Sequence, residues 1–292
     1  MKNDIKFLSN DNLKISISRH GAELSSIQFK GNEYLWQADP KFWKRHSPVL
    51  FPIVGSVCDG RFFVDGQEYK MSQHGFARDM DFELLAESDH EIWYQLKSDA
   101  QTLEKFPYEF ILQIGYKIEN NSIKVMWKVV NPSSATIHFQ IGAHPAFYYR
   151  GEEQSGVKGY FGLKPTGQPN YILIKGKGCA DVDQHYCADL DADGHLPIKA
   201  DTFSKDALIF EDSQLNEVTL FTANRKPYLS VGFDAPVVGL WAPSADSPFV
   251  CIEPWYGRCD RFNFNGEFKE KDWVEHLEAG KTFEGGYTIT LL

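Results

Sequence analysis

Four short stretches of the chain gather side chains that can move protons or hold charge. "MSQHGFARDMDF" (71–82) places Gln73, His74 and Arg78 close together, with Gly75 directly after the histidine. "RHSPVLFPIVG" (45–55) opens with Arg45 and His46 ahead of two prolines. "IGAHPAFYY" (141–149) runs an apolar segment into Gly142, then His144-Pro145, then three aromatic residues. "CIEPWYG" (251–257) sets Glu253 behind Val250, Cys251 and Ile252 and ahead of Pro254 and Trp255.

Glu253 is the most informative of these residues taken singly. A carboxylate at the end of an apolar run must be paired, hydrated at a cleft, or raised in pKa by poor solvation. Each residue also has a purely structural explanation. Glu253 fits a strand-end salt bridge, and His144 fits a core histidine bonded to a backbone carbonyl. His74 and Arg78 fit a hydrogen-bonded turn in which Arg78 pairs with Asp79 or Asp81, and Trp255 fits ordinary packing. As a set, the residues match the needs of sugar chemistry. Aromatic faces pack on sugar C–H groups, and a few fixed polar groups bind hydroxyls and set orientation. A carboxylate and an imidazole can then divide the base and acid work.

The elements that must position these residues are strands. Leu13, Ile15 and Ile17 alternate with polar neighbours, as do Phe110, Leu112, Ile114, Tyr116 and Ile118. Ile123, Val125, Trp127 and Val129 repeat the pattern after Asn120-Asn121, which reads as a hairpin turn. Further strands are expected at 91–97, 136–142, 207–211, 217–222, 228–233, 237–241, 249–253 and 286–292. Only 98–106 and 266–277 carry helical signals. The weakly patterned 150–200 segment, rich in Gly, Asp and Lys, is expected to form long loops. Strands at this density predict an all-β fold, a large antiparallel β-sandwich, as a single domain over residues 1–292. Each polar cluster then sits at a strand end.

Composition narrows the function classes. Hydrophobic residues are 42% and charged residues 24% of the 292, as expected of a globular chain with a real core. No apolar run is long enough to span a membrane, and the polar start lacks a secretory signal, so a cytoplasmic location is the default expectation. A formal charge of −10 without a basic block argues against nucleic acid or anionic membrane as partner, while leaving room for a small anion held by local arginines. The five cysteines form no CxxC pair and read as reduced thiols.

The ordered set "QHGFARD", "GAHPAF" and "EPWYG" resembles the galactose mutarotase-like (aldose 1-epimerase) superfamily. The resemblance is nearest to its bacterial mutarotase-related branch, often linked to lactose operons, and to hexose-6-phosphate mutarotases. It covers the chain from the Arg45 segment to the last strand. It implies a β-supersandwich that interconverts the α and β anomers of a hexose or hexose 6-phosphate without a cofactor. By motif, Glu253 would be the general base at the C1 hydroxyl and His144 the general acid at the ring oxygen, with His74 holding the ring-oxygen region. Asp206 of "SKDALIF" would bind a sugar hydroxyl, and Trp255 would border the sugar. Gln73 and Arg78 match substrate-binding positions of the hexose-6-phosphate enzymes. The family's usual arginine segment near the first histidine has no clean counterpart, and Arg45 is the candidate for that role. Both departures point away from plain galactose.

Two other classes fit the same residues. A non-catalytic carbohydrate-binding sandwich needs no matched acid and base, so His144 together with Glu253 speaks against it. A metal enzyme built on His74, His144 and Glu253 lacks the HxH or HExxH spacing of such sites. The expected partner is a small sugar, and the expected assembly is a monomer or homodimer.

Overall fold

The computed structural model describes residues 5–165 and 167–292. Its largest sheet has nine antiparallel strands. In spatial order they are His195–Lys199, Val157–Leu163, Glu217–Thr222, Pro227–Phe233, Thr282–Leu291, Ser122–Val130, Ile111–Glu119, Glu91–Lys97 and Glu83–Glu87. A second sheet orders Leu208–Phe210, Val237–Trp241, Phe249–Tyr256, Ile141–Ala143 and Val49–Leu50, with Ala146–Tyr148 also paired to Phe249–Tyr256. A four-stranded antiparallel sheet contains Ile5–Ser9, Leu13–Ser18, Glu23–Phe29 and Asn32–Glu33. This is the mostly antiparallel β fold expected from the alternating pattern. Among the described residues, no helix is long and apolar enough to cross a membrane.

Alternation decides which way the second sheet faces. Val250 and Ile252 join Val238 and Leu240 in the same buried cluster as Val125, Trp127 and Ile289 of the nine-stranded sheet. Each such aliphatic side chain contributes roughly 1.5–3 kcal/mol by leaving water. Successive side chains of a strand point to opposite faces, so Cys251, Glu253 and Trp255 project away from that core. The strand Phe249–Tyr256 is therefore buried on both sides, yet its second face carries a carboxylate.

Most expected elements form where the pattern placed them. Glu119 pairs with Ser122 across the Asn120-Asn121 turn, where Asn120 has φ 54°. The helix expected at 98–106 is Ala100–Lys105, capped by Asp99, whose side chain accepts the Thr102 N–H at 2.8 Å. Two expectations need correction. The stretch 266–277 is not a helix: it holds one 3-10 turn, Phe268–Glu270, and the strand Glu275–Leu277. Trp273 at φ 57° ends any helical path, and its indole N–H donates to Glu211 at 2.6 Å. The 150–200 segment is not loop throughout, because Val157–Leu163 and His195–Lys199 lie within the nine-stranded sheet. Gly159 and Gly162 hid the first of these strands. A Cβ at Gly159 would lie 2.5 Å from the Phe221 carbonyl oxygen, and one at Gly162 would lie 2.5 Å from the Phe221 ring.

Candidate active site

Glu253 lies opposite Gly239 on the neighbouring strand Val237–Trp241. The Trp255 indole spreads over both flanking strands because each offers a glycine. A Cβ at Gly239 would come within 2.4 Å of the indole, and one at Gly142 within 2.6 Å. The indole N–H donates to the Ala143 carbonyl at 3.1 Å, which holds the ring in place.

His144 follows the strand Ile141–Ala143 and is tied down by its own N–H, which donates to Pro48 O at 3.2 Å. The Pro48 segment is anchored in turn by Glu23, whose carboxylate accepts the backbone N–H groups of His46 and Ser47 at 2.9 Å each. His74 arrives from the 71–82 stretch in a left-handed conformation at φ 66°, next to Gly75 at φ 71°. A Cβ at Gly75 would meet Phe51 O at 2.2 Å, so only glycine lets the turn approach that strand. The His74 N–H donates to Gly55 O at 2.7 Å, and its Nδ1 accepts the Gly55 N–H at 3.1 Å. That acceptor role puts the neutral ring's proton on Nε2. A non-glycine residue in a strained conformation clamped from both sides is a feature that clusters at functional sites.

The structure brings every expected site residue to one cavity of about 570 Å³. Glu253, His144, His74, Gln73, Arg78, Arg45, Asp206 and Trp255 all line it. His144 Nε2 lies 3.2 Å from Glu253 Oε2. His144 Nδ1 and Glu253 Oε2 are both buried without a hydrogen-bond partner, an arrangement proteins tolerate where a ligand completes the bonding. Asp206 sits at φ 76°, its Oδ1 accepting the Ala207 N–H at 2.8 Å.

Two residues that sequence reasoning missed complete the surroundings of His144. Trp43 stacks on the imidazole with ring centroids 4.6 Å apart, and Trp241 meets it edge-on at 5.3 Å. Their sequence signals were weak: Trp43 adjoins Lys44-Arg45, and Trp241 ends an apolar strand, where tryptophan reads as packing.

Burial governs the electrostatics. Glu253 is 1% exposed, and desolvation, reinforced by Asp206, raises its pKa well above the ordinary carboxylate value. Desolvation, with Arg78 adding repulsion, lowers His144 to about 3. His74 is likewise pushed well below the ordinary imidazole value by burial, then by His144, Arg78 and Arg45. Burial thus favours the uncharged form of both groups, a protonated Glu253 beside a neutral His144, a pair that can hold one transferable proton.

One wall is cationic. Arg45 donates to Asp79 at 2.8 Å, while Arg78 donates to Gln73 O at 2.6 Å and its Nε lies 3.9 Å from Asp79. Two guanidiniums thus share one carboxylate. Arg78 pays for burial and for its proximity to Arg45 with a pKa lowered to about 10, which still leaves it charged at neutral pH. Asp81, the other expected partner of Arg78, pairs instead with Arg19 at 2.5 Å and His20 at 2.9 Å.

His144, Cys251 and Glu253 also offer ligand atoms within 4.8 Å of one another. This differs from the His74, His144 and Glu253 set considered for a metal. Burial pushes its thiol pKa well up, which opposes metal ligation.

Comparison with known proteins identifies the family. The family model described as aldose 1-epimerase matches residues 5–273. Protein LacX (plasmid) of Lactococcus lactis subsp. lactis is 30% identical over 296 residues, covering 98% of each chain. A crystal structure of a galactose mutarotase related enzyme from Lactobacillus acidophilus superposes with TM-score 0.92 at 34% identity, covering 99% of this chain and 97% of that one. A galactose mutarotase-like protein from Lactobacillus casei also reaches TM-score 0.92, at 27% identity, with 99% and 100% covered. With a family model matching most of its length and a relative 30% identical across 98% of it, the chain belongs to the aldose 1-epimerase family.

Proposed function

We propose that the protein interconverts the α and β anomers of a hexose, with a 6-phosphorylated hexose the preferred form. The observation that carries this reading is the buried His144–Glu253 pair, 3.2 Å apart, in a cavity that also holds His74 and two arginines. Mutarotation removes a proton from the C1 hydroxyl and delivers one to the ring oxygen, so it needs one acceptor, one donor and no net change in protonation. A pair holding one proton meets that need.

Glu253 takes the C1 hydroxyl proton and His144 protonates the ring oxygen as the C1–O5 bond breaks. The open aldehyde turns about C1–C2 and recloses on its other face with the roles reversed. The reactive arrangement places the shared proton on His144, against the preference that burial sets. Substrate offsets this preference, because the C1 hydroxyl donates to the Glu253 carboxylate as its proton passes to His144. Trp43 helps, since an indole face stacked on imidazolium attracts the positive charge. His74 points an Nε2–H donor at the ring-oxygen region, and Asp206 accepts from a hydroxyl. Arg78 and Arg45 hold the phosphate: two guanidiniums line one wall of the cavity, and Arg78 Nε has no hydrogen-bond acceptor.

Exchange NMR spectroscopy across free and 6-phosphorylated aldoses tests the proposal. Enzyme-dependent anomer exchange, fastest on a phosphorylated hexose, is expected. Binding without exchange on any aldose would replace it with the carbohydrate-binding alternative.

A further inference from the structure

A second group of ligating side chains lies outside the sugar cavity. The strand Ile137–Phe139 pairs antiparallel with Glu275–Leu277, and this register sets His138 directly opposite His276. The two rings meet edge to face with centroids 4.8 Å apart, and their Nδ1 atoms are 2.8 Å apart. Two imidazole nitrogens at that distance cannot both carry a proton facing the other. They share one proton, or both turn a lone pair to a common cation.

The cleft beside His138 carries charge of both signs. His138 borders a cleft of about 560 Å³ into which Asp65, Glu109 and Glu267 bring three carboxylates against the single ammonium of Lys269. Lys269 lies 4.0 Å from Asp65, and the Glu267 carboxylate accepts the Gly66 N–H at 2.9 Å.

We propose that His138 and His276 form a cross-strand chelate for a divalent transition-metal ion of tetragonal or octahedral preference, Ni²⁺ or Cu²⁺ rather than Zn²⁺. The bite distance selects the ion. With metal–nitrogen bonds of about 2.0–2.1 Å, nitrogens 2.8 Å apart subtend about 86° at the metal. That angle fits adjacent positions of a square-planar or octahedral ion, whereas a tetrahedral ion needs nitrogens about 3.4 Å apart. In the resting pair one ring carries its proton on Nδ1. It moves that proton to Nε2, both Nδ1 lone pairs bind the metal, and no proton is lost. Water completes the coordination.

The test is calorimetric titration of the untagged chain with Ni²⁺ and with Zn²⁺, beside the variants His138→Gln and His276→Gln, with thermal melts of each. One Ni²⁺ site is expected, bound more tightly than Zn²⁺, raising the melting temperature by linkage. Either substitution should weaken Ni²⁺ by ~10-fold or more. His276 is exposed and His138 half-buried, so both variants should melt as the metal-free parent does. Three results would each overturn the proposal: Ni²⁺ binding that survives both substitutions, tighter binding of Zn²⁺ than of Ni²⁺, or no Ni²⁺ heat from the parent chain.

Discussion

Replacing Glu253 with Gln should move activity and stability in opposite directions. The amide keeps the shape but cannot accept the C1 proton, so anomer exchange should fall by about two to four orders of magnitude. Stability follows from the raised pKa. Above pH 4.5 an unfolded chain releases this proton, while the folded protein keeps it until a higher pH. The stability contributed by Glu253 is therefore complete below 4.5 and is lost as pH rises towards the folded-state value. The loss is about 1.4 kcal/mol for each pH unit within that window. Glutamine does not titrate, so the variant escapes this loss. It should match the parent near pH 4.5 and exceed it at about pH 8, at roughly 2–4 °C of melting temperature per kcal/mol. Urea denaturation at the two pH values, with exchange NMR on the same samples, reads both effects. Parent-like turnover by the folded variant would refute the base assignment. A stability difference independent of pH would refute the argument that burial holds Glu253 protonated.

The remaining predictions concern the other walls of the cavity. The pH profile of kcat/KM should run flat through 6.5, the ordinary imidazole value, with its acidic limb approaching the His144 value of about 3. An inflection near 6.5 that His144→Asn abolishes would show that the imidazole is not desolvated. Arg78→Ala should cost a 6-phosphosugar roughly 1.5–3 kcal/mol of transition-state binding, or at least tenfold more in kcat/KM than the free sugar loses; equal losses on both would remove the phosphate from the proposal. Gly239→Ala would press a methyl group to within 2.4 Å of the Trp255 ring, costing about 1–3 kcal/mol in denaturant titration and lowering kcat/KM. A variant as stable and active as the parent would show that Trp255 is not held as described.

Much of the site was legible because polar residues in apolar strands are costly and so mark themselves. Glu253 behind Val250, Cys251 and Ile252 needed a reason to be there, and so did His144 after Ile141, Gly142 and Ala143. Those reasons converge on one cavity. Trp43 and Trp241 carried no such mark, because a tryptophan is at home in either packing or a binding wall. Which one it serves depends on the sheet face it occupies and on what stands opposite.

The strands themselves were set by a local property. Alternation along Ile111–Glu119 and Ser122–Val130 names their buried face before any partner is known. The errors fell where a distant residue overrode the local pattern. Phe221 requires glycine at 159 and 162, which disguised a strand as loop. The Lys271–Asp260 ion pair, 2.6 Å long and buried, and the Trp273 bond to Glu211 pull 266–277 out of a helix. The opposition of His138 and His276, 138 residues apart, leaves no trace in either segment. Sequence by itself determined the fold class, the strand faces and the chemical types at the strand ends, because these follow from neighbours a few residues away. Only the tertiary structure decided the burial of Glu253 against His144, the placing of Asp79 between two arginines and the meeting of His138 with His276, because desolvation and charge act through space between segments the chain keeps far apart.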